Sequence, residues 1–194
     1  MKVVVLNHMS LDGVIQSPAR PDEDTRGGFI HGGWAVAGVD EAVAEWVGPV
    51  GAGGAGAMLM GRRSYEGMLG HWNHAGGPFK DALNAATKYV ASHNPTTRLD
   101  WPNSTLLHGD VPTAVASLKR EQEGDLLIMG SGALTQSLVA QDLIDEYRLV
   151  IHPPLLGGGV RLFPDDGAGH RLELVDSTST TKGLILATYR ARRA

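Results

Sequence analysis

Residues 125–151 read DLLIMGSGALTQSLVAQDLIDEYRLVI. The apolar run from Asp125 to Met129 predicts a buried strand, and apolar residues at positions 134, 138 and 139 predict a helix that begins at about Ala133. Between the two, Gly130 and Gly132 would let the backbone approach an anion closely, and the start of the helix would offer unpaired N–H groups. A second apolar run, Tyr147 to Ile151, predicts a returning strand. The stretch therefore predicts a β-α-β unit with a phosphate-binding turn.

Strands and helices alternate before this unit, and strands alone follow it. Apolar periodicity predicts strands at 1–6, 57–60, 88–92 and 104–107, and helices at 39–47, from 62, at 79–86 and after the capping residue Asp110. The Gly-rich stretches Gly13 to Gly38 and Gly48 to Gly56 predict a long loop and a connector. Arg171 to Val175 and Gly183 to Arg190 predict an antiparallel hairpin around a turn at 177–182. Residues 1–194 are thus expected to form a single α/β domain, with helices on both sides of a mixed, mostly parallel sheet.

Composition restricts the partners of the chain. Its 194 residues carry a net charge of -4 at a pI near 6.0, which argues against nucleic acid or an anionic membrane held by bulk charge. No stretch approaches the roughly 20 apolar residues that cross a bilayer. Because the chain has no cysteine, it has no disulfide and no thiolate chemistry. These features predict a cytoplasmic protein that acts on a small molecule.

Three predicted strand ends carry groups that suit phosphate. The segment Gly61-Arg62-Arg63-Ser64 offers guanidinium groups and a hydroxyl at a helix start, Ser92 follows another strand, and Gly130 to Gly132 follow a third. Taken alone, the arginines could equally form a solvated basic turn. Parallel strands deliver their carboxyl ends to one edge of a sheet, so the three together predict one extended, multiply phosphorylated ligand. The stretch at 130–135 lacks the last glycine of G-x-G-x-x-G, which argues against a Rossmann site.

Two carboxylates near the first strand and helix have alternative interpretations. Asp12 precedes Gly13 in a turn signal, so its side chain is expected to hold its own backbone. Asp40 borders the apolar stripe of the first predicted helix, and it could face a pocket or simply favour the helix N-terminus. The backbone at Asn7 and His8 would lie at the mouth of the sheet.

The eight histidines show no metal-binding spacing. His71 and His74 are the closest pair in sequence, and H-E-x-x-H is absent. We therefore expect no bound metal and interpret the histidines as exposed loop residues.

Six segments taken together resemble a known family. They are Ser10 to Ile15, Met60 to Glu66, Lys88 to Ser92, Gly130 to Leu134, Leu143 to Glu146 and Leu155 to Phe163. In this order they look like the dihydrofolate reductase-like family typified by the C-terminal reductase domain of the bifunctional riboflavin-biosynthesis protein, RibD. The resemblance covers nearly the whole chain, although the family often has two adjacent glycines where this chain has Gly130-Ser131.

The resemblance implies a three-layer α/β/α dihydrofolate reductase-like fold that binds NADPH. The cofactor-binding residues that it implies are Asn7, His8, Ile15, Gly61, Arg62, Arg63, Ser64, Ser92, Gly130, Ser131, Gly132 and Leu134. The first three would contact the nicotinamide, residues 61–64 the 2′-phosphate and pyrophosphate side, Ser92 the adenosine phosphate, and the last four the pyrophosphate and ribose. The cationic pair at 62 and 63, with no acid nearby to grip a free ribose hydroxyl, also favours NADPH over NADH.

The implied reaction is hydride transfer to a C=N or C=O carbon of a pyrimidine- or pterin-like substrate, as in 5-amino-6-(5-phosphoribosylamino)uracil reductase of riboflavin biosynthesis. In dihydrofolate reductases the acid lies on the corresponding first helix, so Asp40, or a water that it orients, is the expected proton source. A phosphorylated substrate would need a second basic cluster, which only Arg20, Arg26 or Lys80 could supply. Dihydrofolate reduction, with Asp40 and Trp34 beside the pterin, and a non-catalytic NADPH-binding module remain alternatives. Relatives commonly pair, so the apolar C-terminal strands are expected to form a homodimer interface.

Overall fold

The computed structural model describes residues 1–48 and 56–192, so most of the connector predicted between Gly48 and Gly56 lies outside the described residues. The described strands are β1 Lys2–Ser10, β2 Ala57–Gly61, β3 Lys88–Ala91, β4 Ser104–Leu107, β5 Asp125–Met129, β6 Glu146–His152, β7 Arg171–Ser179 and β8 Ile185–Arg192. The described α-helices are α1 Glu41–Val47, α2 Arg62–Ala75, α3 Pro78–Ala85, α4 Val111–Glu121 and α5 Gly132–Val139. The alternation of strands and helices predicted from apolar periodicity is therefore confirmed.

The eight strands form one mixed sheet in the order β4-β3-β2-β5-β1-β6-β8-β7. Strand β2 pairs in parallel with β3 and with β5, and β3 pairs in parallel with β4. Strand β8 runs antiparallel to both β6 and β7. This is the predicted mixed sheet with antiparallel C-terminal strands. In that order β1 separates β5 from β6, so the two strands of the predicted β-α-β unit are not neighbours.

Residue contacts divide the chain into two compact units. Unit 1 comprises residues 1–4 and 56–144 of the described chain, with β2 to β5 and α2 to α5. Its core lies on the buried central strands, where Leu59, Val90 and Ile128 are fully buried. Helix α4 begins as predicted, because the Asp110 carboxylate accepts a hydrogen bond from the Thr113 N–H at 3.2 Å.

A buried lysine donates hydrogen bonds to the C-terminal end of helix α3 in unit 1. Lys88, the first residue of β3, is fully buried, and its Nζ donates to the backbone oxygens of Leu83 and Ala86, each at 2.6 Å. These carbonyls belong to the end of α3 and the residue after it, which have few intrahelical partners. Burial lowers the pKa of Lys88. The ammonium therefore has a structural role at the C-terminal end of α3.

Unit 2 comprises residues 5–48 and 145–192 of the described chain. Its core joins Val43 of α1 to Val150 of β6, to Leu184 just before β8 and to Leu186 near the start of β8. The predicted hairpin is present, but the predicted turn boundaries at 177–182 are wrong. Strand β7 continues to Ser179, and a tight turn at 180–184 leads into β8. Ser177 to Ser179 pair with β8 although they are polar, because β7 is an exposed edge strand whose residues need not be apolar.

The long loop predicted from Gly13 to Gly38 is confirmed, and it is internally cross-linked. It contains two short 3₁₀ turns, Arg26–Gly28 and Val36–Gly38. Gln16, which is 5% exposed, donates its Nε2 to the backbone oxygens of Asp24 and Arg26, each at 3.0 Å. Its Oε1 accepts from the Val160 N–H at 2.9 Å. One buried amide thus fixes the loop against the segment that follows β6.

Candidate functional site

The turn after β5 in unit 1 has an uncommon backbone conformation. Gly130 has φ 68° and Ser131 has φ 60°, so two consecutive residues occupy the left-handed region. A Cβ on Gly130 would lie 3.2 Å from Ser64 Oγ, closer than ordinary packing. Glycine adopts this region without steric cost, whereas serine does not. Ser131 thus adopts a backbone conformation that suits a glycine, the residue that the resemblance led us to expect at this position.

Ser131 links this turn to the one after β2. Its Oγ accepts a hydrogen bond from the Gly61 N–H at 2.8 Å and donates to Ser64 Oγ, also at 2.8 Å. The register that pairs Ala57 with Leu126 brings the carboxyl ends of the two strands to the same edge. The structure therefore brings together Gly61, Ser64, Gly130 and Ser131, four of the predicted cofactor-binding residues. We call residues 61–64 with 130–132 the cradle.

Two helices begin at the cradle without a side-chain cap. Helix α2 starts after Gly61 and α5 starts after Ser131, and neither first turn receives a side-chain hydrogen bond at its N-cap. By contrast, α1 and α4 are capped by Asp40 and Asp110. An uncapped first turn leaves N–H donors and the positive end of the helix dipole for a ligand oxygen. Helix α5 begins at Gly132, one residue before the predicted start, and Leu134 of its first turn is buried.

The two arginines at the start of α2 differ in their surroundings. Arg62 Nη1 contacts both carboxylate oxygens of Glu66, at 2.9 and 3.0 Å, one turn along the helix. Arg63 is exposed, and its side chain makes no hydrogen bond or ion pair within residues 1–48 and 56–192. That no acid nearby grips a free ribose hydroxyl stays a prediction, but the helical spacing of four residues places the Glu66 carboxylate on Arg62.

A cavity of about 410 Å³ lies beside Arg62 in unit 1. Its walls come from the first turns of α2 and from the loop after β3, and they are Arg62, Tyr65, Glu66, Asn94, Thr96, Thr97, Arg98, Asp100 and Trp101. The Tyr65 hydroxyl accepts from the Trp101 N–H at 3.0 Å, and the two rings meet edge to face at 4.8 Å. The sequence did not predict residues 94–101 as part of a site, because an irregular loop has no periodicity. The only indication in the sequence was that this loop directly follows a predicted strand.

Ser92, the predicted adenosine-phosphate residue, organises this loop. Its Oγ lies 2.7 Å from Thr97 Oγ1 and accepts from the Asn94 N–H at 3.2 Å. The loop bordering the cavity is thereby held in a fixed turn. Ser92 itself does not line the cavity.

Arg26, one of the cations considered for a substrate phosphate, lines a second cavity of about 510 Å³ in unit 2. The cavity lies between residues 26–31 and 156–160. Arg26 Nε donates to Asp24 at 2.8 Å, so its charge is already matched. Arg20 is likewise close to an acid, Asp22, at 3.6 Å.

The predicted nicotinamide residues lie in unit 2. Asn7 and Ile15 are each 7% exposed, while His8 is half-buried. Successive residues of a strand point to opposite faces, so the side chains of Asn7 and His8 cannot face the same ligand. Asp40, the predicted proton source, is the N-cap of α1, and its Oδ1 accepts from the Val43 N–H at 3.2 Å. Asp40 therefore has the structural role that was the alternative, at the N-terminus of α1, and its catalytic role stays a prediction.

His8 and His152 form a contact that the sequence did not reveal. The Nδ1 of His8 lies 2.9 Å from the Nε2 of His152, and Trp34 meets the His152 ring edge to face at 5.2 Å. His152 is only 2% exposed, so the prediction of exposed loop histidines is wrong for this residue. Burial lowers the pKa of His8, and burial followed by the charge of His8 lowers the pKa of His152 to about 4. Both rings are therefore neutral near pH 7.

Asp12 holds both its own turn and a distant one. Its carboxylate accepts from Ser10 Oγ at 2.6 Å, as the turn signal predicted, and also from the Leu156 and Gly157 N–H groups at 3.2 and 2.8 Å. The hydrogen bond from Ser10, and then those from the two backbone groups, lower the pKa of Asp12 to about 2. Asp12 thus ties the end of β1 to the segment after β6.

The stability of the protein is expected to fall in acid through Asp12. Because the pKa of the folded state is depressed, the stabilisation is complete above about pH 4 and is lost as the pH falls through about 2. We expect Asp12→Asn to lower the free energy of unfolding by about 1–2 kcal/mol at pH 6 and by much less at pH 2.5. Urea unfolding at both pH values measures this. Asp22→Asn, at an 87% exposed side chain, is the control, and an equal loss for Asp12→Asn at both pH values would contradict the assignment.

Within residues 1–48 and 56–192, no group of three or more His, Asp or Glu side chains is placed to hold a metal ion. Across the same residues, no helix combines the length and apolar character needed to cross a membrane.

Known proteins share this fold and part of this sequence. A crystal structure from Shewanella sp. PV-4, provisionally named a riboflavin biosynthesis protein, superposes with a TM-score of 0.76 at 23% identity and covers 100% of both chains. Dihydrofolate reductase from Enterococcus faecalis, complexed with NADP(H) and RAB-propyl, gives a TM-score of 0.58 at 15% identity, over 99% of this chain and 97% of that one. At such identities these likenesses show the fold alone, which is α/β and dihydrofolate reductase-like.

The sequence comparisons identify the family. The uncharacterized protein YyaP of Bacillus subtilis (strain 168) is 26% identical over 177 residues, which are 85% of this chain and 89% of YyaP. The family model of the RibD C-terminal domain matches residues 1–186. The chain therefore belongs to the RibD C-terminal domain family.

Proposed function

We propose that the protein is an NADPH-dependent reductase that transfers hydride to a C=N or C=O carbon of a pyrimidine- or pterin-like substrate. Family membership supports a reductase, and the observation that carries the cofactor assignment is the cradle. Because Ser131 Oγ donates to Ser64 Oγ, the Ser64 hydroxyl keeps its own proton for a ligand oxygen. The cradle thus combines a hydroxyl donor with two uncapped helix starts.

The cradle fits a pyrophosphate. Phosphate oxygens accept hydrogen bonds and carry negative charge, and the first turns of α2 and α5 present backbone donors with favourable dipoles. Positive φ at both Gly130 and Ser131 turns the backbone sharply between β5 and α5. A side chain on Gly130 would meet Ser64 and fill part of this space. In the proposed complex Ser64 through its hydroxyl, and Ser131 and Gly132 through their backbone, hold the pyrophosphate, while Gly61 and Gly130 leave room for it because they have no side chain.

The cavity beside Arg62 fits the adenosine end of the cofactor. Its volume of about 410 Å³ and the half-buried Trp101 in its wall suit a purine ribose, with Arg62 for the 2′-phosphate. Arg98, also in the wall, lies 3.4 Å from Asp100. Glu66 competes with a phosphate for Arg62, since it already accepts two hydrogen bonds from that guanidinium. Arg63 adds an exposed positive charge at the same helix start.

The reaction would use residues of unit 2. When bound, NADPH supplies a hydride from the nicotinamide C4, and the protein contributes positioning and the exclusion of water. Asn7 and Ile15 are the buried residues proposed to contact the nicotinamide, and Leu134 of unit 1 the ribose. The resemblance assigns the proton to Asp40, whose carboxylate is here engaged by the Val43 N–H.

Two measurements test the function. Titration calorimetry with NADPH is expected to show binding, and absence of heat would contradict the cofactor assignment. Steady-state NADPH consumption is then measured with the phosphoribosylaminopyrimidine intermediate, with dihydrofolate and with a panel of carbonyl compounds. Consumption with the pyrimidine supports the riboflavin-type reaction, and consumption with dihydrofolate alone supports the pterin alternative. Binding without consumption of NADPH would instead indicate a non-catalytic module.

We also propose that the protein is a cytoplasmic homodimer. Strand β7 ends the sheet, and Leu174, Val175 and Ile185 of the β7-β8 hairpin are 44% to 53% exposed. An exposed edge with apolar side chains is a suitable surface for a second copy. Sedimentation of the protein and of Leu174→Lys tests this, because a dimer that uses this edge should dissociate in the variant.

A further inference from the structure

The cavity in unit 2 is a site to which the proposed reductase function assigns no ligand. Residues 26–31 of the long loop form one wall, residues 156–160 after β6 form the other, and Gln16 completes the lining. Its volume of about 510 Å³ lies within the range of cavities that bind small organic molecules. All of these residues belong to unit 2. The cavity therefore does not need the cradle or a bound cofactor to form.

Hydrogen bonds fix both walls of the unit 2 cavity. Gln16 Nε2 donates to the Asp24 and Arg26 oxygens at the start of one wall, each at 3.0 Å. Its Oε1 accepts from the Val160 N–H of the other wall at 2.9 Å. The Ile15 N–H donates to the Val160 oxygen, also at 2.9 Å. A cavity whose walls are already fixed loses little conformational entropy on binding, which suits a rigid ligand.

Apolar side chains and glycines make up most of the lining. Phe29 is 8% exposed and packs on Gly159, where an added Cβ would lie 2.8 Å from the phenyl ring. Ile30 is 84% exposed, and Leu156 is half-buried. Covering such apolar surface with a ligand removes it from water, which stabilises the complex. The lining therefore favours an organic ring over a small hydrophilic ion.

Arg26 carries the one formal charge of an Asp, Glu, Lys or Arg side chain among the described residues of the lining. Its Nε donates to Asp24 Oδ1 at 2.8 Å, and its Nη2 donates to Asp24 Oδ2. The hydrogen bond from Arg26 lowers the pKa of Asp24, and the same bond raises the pKa of Arg26. Both groups thus stay charged near pH 7, and the Asp24 carboxylate repels a second anion.

The remaining guanidinium nitrogen of Arg26 is a donor for an uncharged acceptor. Nη1 makes no hydrogen bond within residues 1–48 and 56–192, because Asp24 takes Nε and Nη2. A carbonyl oxygen needs one donor and brings no charge toward Asp24. A phosphate is best held by two guanidinium nitrogens, and Asp24 already occupies such a pair.

We propose that the unit 2 cavity binds an uncharged ring compound with a carbonyl oxygen and discriminates against phosphate esters, an inference that goes beyond the proposed function. In this complex Arg26 Nη1 donates to the carbonyl oxygen. Ile30 and Leu156 cover the apolar part of the ring. Arg20, the other cation of the long loop, lies 3.6 Å from Asp22 and is not part of the lining. The described residues of the cavity therefore offer a phosphate no unmatched Arg or Lys.

Two coumarins test the ligand class. The uncharged probe is 7-methoxy-4-methylcoumarin, and the phosphorylated probe is 4-methylcoumarin-7-yl phosphate. Both have the same flat ring with one carbonyl group, and they differ in the group on the 7-oxygen. Equilibrium dialysis at pH 7 without NADPH, with the ring absorbance as readout, gives both dissociation constants. The wild type is expected to bind the uncharged probe about 10-fold more tightly than the phosphate.

Asp24→Asn tests the reason for this preference. Asparagine keeps an oxygen that can accept from the Arg26 N–H, as Asp24 Oδ1 does at 3.2 Å, but it leaves the guanidinium charge unmatched. Binding of the phosphorylated probe should become about 10-fold tighter, and binding of the uncharged probe should change less than twofold. Asp22→Asn, at an 87% exposed side chain outside the lining, removes the same charge and is the control. Equal tightening in Asp22→Asn would overturn the role of the Asp24–Arg26 pair.

Ile30→Ala tests the location of the probe. The variant should bind the uncharged probe about 3- to 10-fold more weakly, because the ring loses apolar contact. Val36→Ala, at a 57% exposed residue of the same loop outside the lining, should change this affinity less than twofold. Since both side chains are exposed, both variants should fold. Wild-type affinity in Ile30→Ala would place the probe elsewhere and overturn the site.

The remaining outcomes separate this proposal from the reductase. No retention of the uncharged probe, or equal affinity for the two coumarins, overturns the site whether or not NADPH binds. Retention of the uncharged probe without any NADPH binding supports the site and contradicts the proposed function. Where NADPH is oxidised, competition between the probe and the substrate identifies the natural occupant as the substrate ring. Inhibition that is not competitive identifies a separate effector of the same chemistry, and both results support the site.

Discussion

Replacing Gly159 with alanine is expected to lower the free energy of unfolding by about 2–4 kcal/mol. Gly159 has φ 111°, a region that costs other residues about 1–2 kcal/mol. A Cβ there would lie 2.8 Å from the Phe29 ring and 2.9 Å from Val14 Cγ1. Phe29 is 8% exposed and Val14 is fully buried, so neither can move away without disturbing the packing of the long loop.

The neighbouring glycine provides a matched control. Gly158 has no positive φ, and a Cβ on it would meet nothing within 4 Å, so Gly158→Ala is expected to change stability by less than about 0.5 kcal/mol. Urea unfolding of the two variants measures the difference. Equal stability of Gly159→Ala and Gly158→Ala would show that the loop from Gly13 to Gly38 is not held against the segment after β6.

Replacing Arg62 with alanine is expected to weaken NADPH binding by about 10- to 150-fold and NADH binding by much less. Only NADPH carries the 2′-phosphate, and a lost charge-assisted hydrogen bond costs about 1.5–3 kcal/mol. Arg62 lines the adenosine-sized cavity and starts α2 directly after β2. Calorimetric titration of both cofactors gives the ratio, and equal losses for both would exclude Arg62 from the 2′-phosphate site.

A substitution of Glu66 is expected to change NADPH affinity in the opposite direction to Arg62→Ala. Its carboxylate accepts two hydrogen bonds from Arg62 and repels a phosphate, so Glu66→Gln should tighten NADPH binding and leave NADH binding nearly unchanged. The control for Arg62→Ala is Arg120→Ala, on α4 away from the cavity, which removes the same positive charge. A matching loss in Arg120→Ala would mean that net charge, rather than a specific contact, sets the affinity.

Much of the fold was predicted because its signals are local. The strand β4 was predicted with its observed bounds, and Asp110 was predicted as a cap because its partner, Thr113, lies three residues away. The turn between β7 and β8 was misplaced, since alternation of polar residues on an exposed edge strand looks the same as a polar turn. The cofactor-binding role of the predicted residues stays a prediction, although the structure brings the cradle residues together.

The sequence by itself determined most of the strands and helices, the glycines of the turn after β5 and the family to which the chain belongs, because these depend on short-range periodicity and on side-chain types. Only the tertiary structure decided the contacts across long separations. Ser131 meets Gly61 across 70 residues, and His8 meets His152 across 144. Such contacts follow from strand order, register and side-chain direction, which no local pattern encodes.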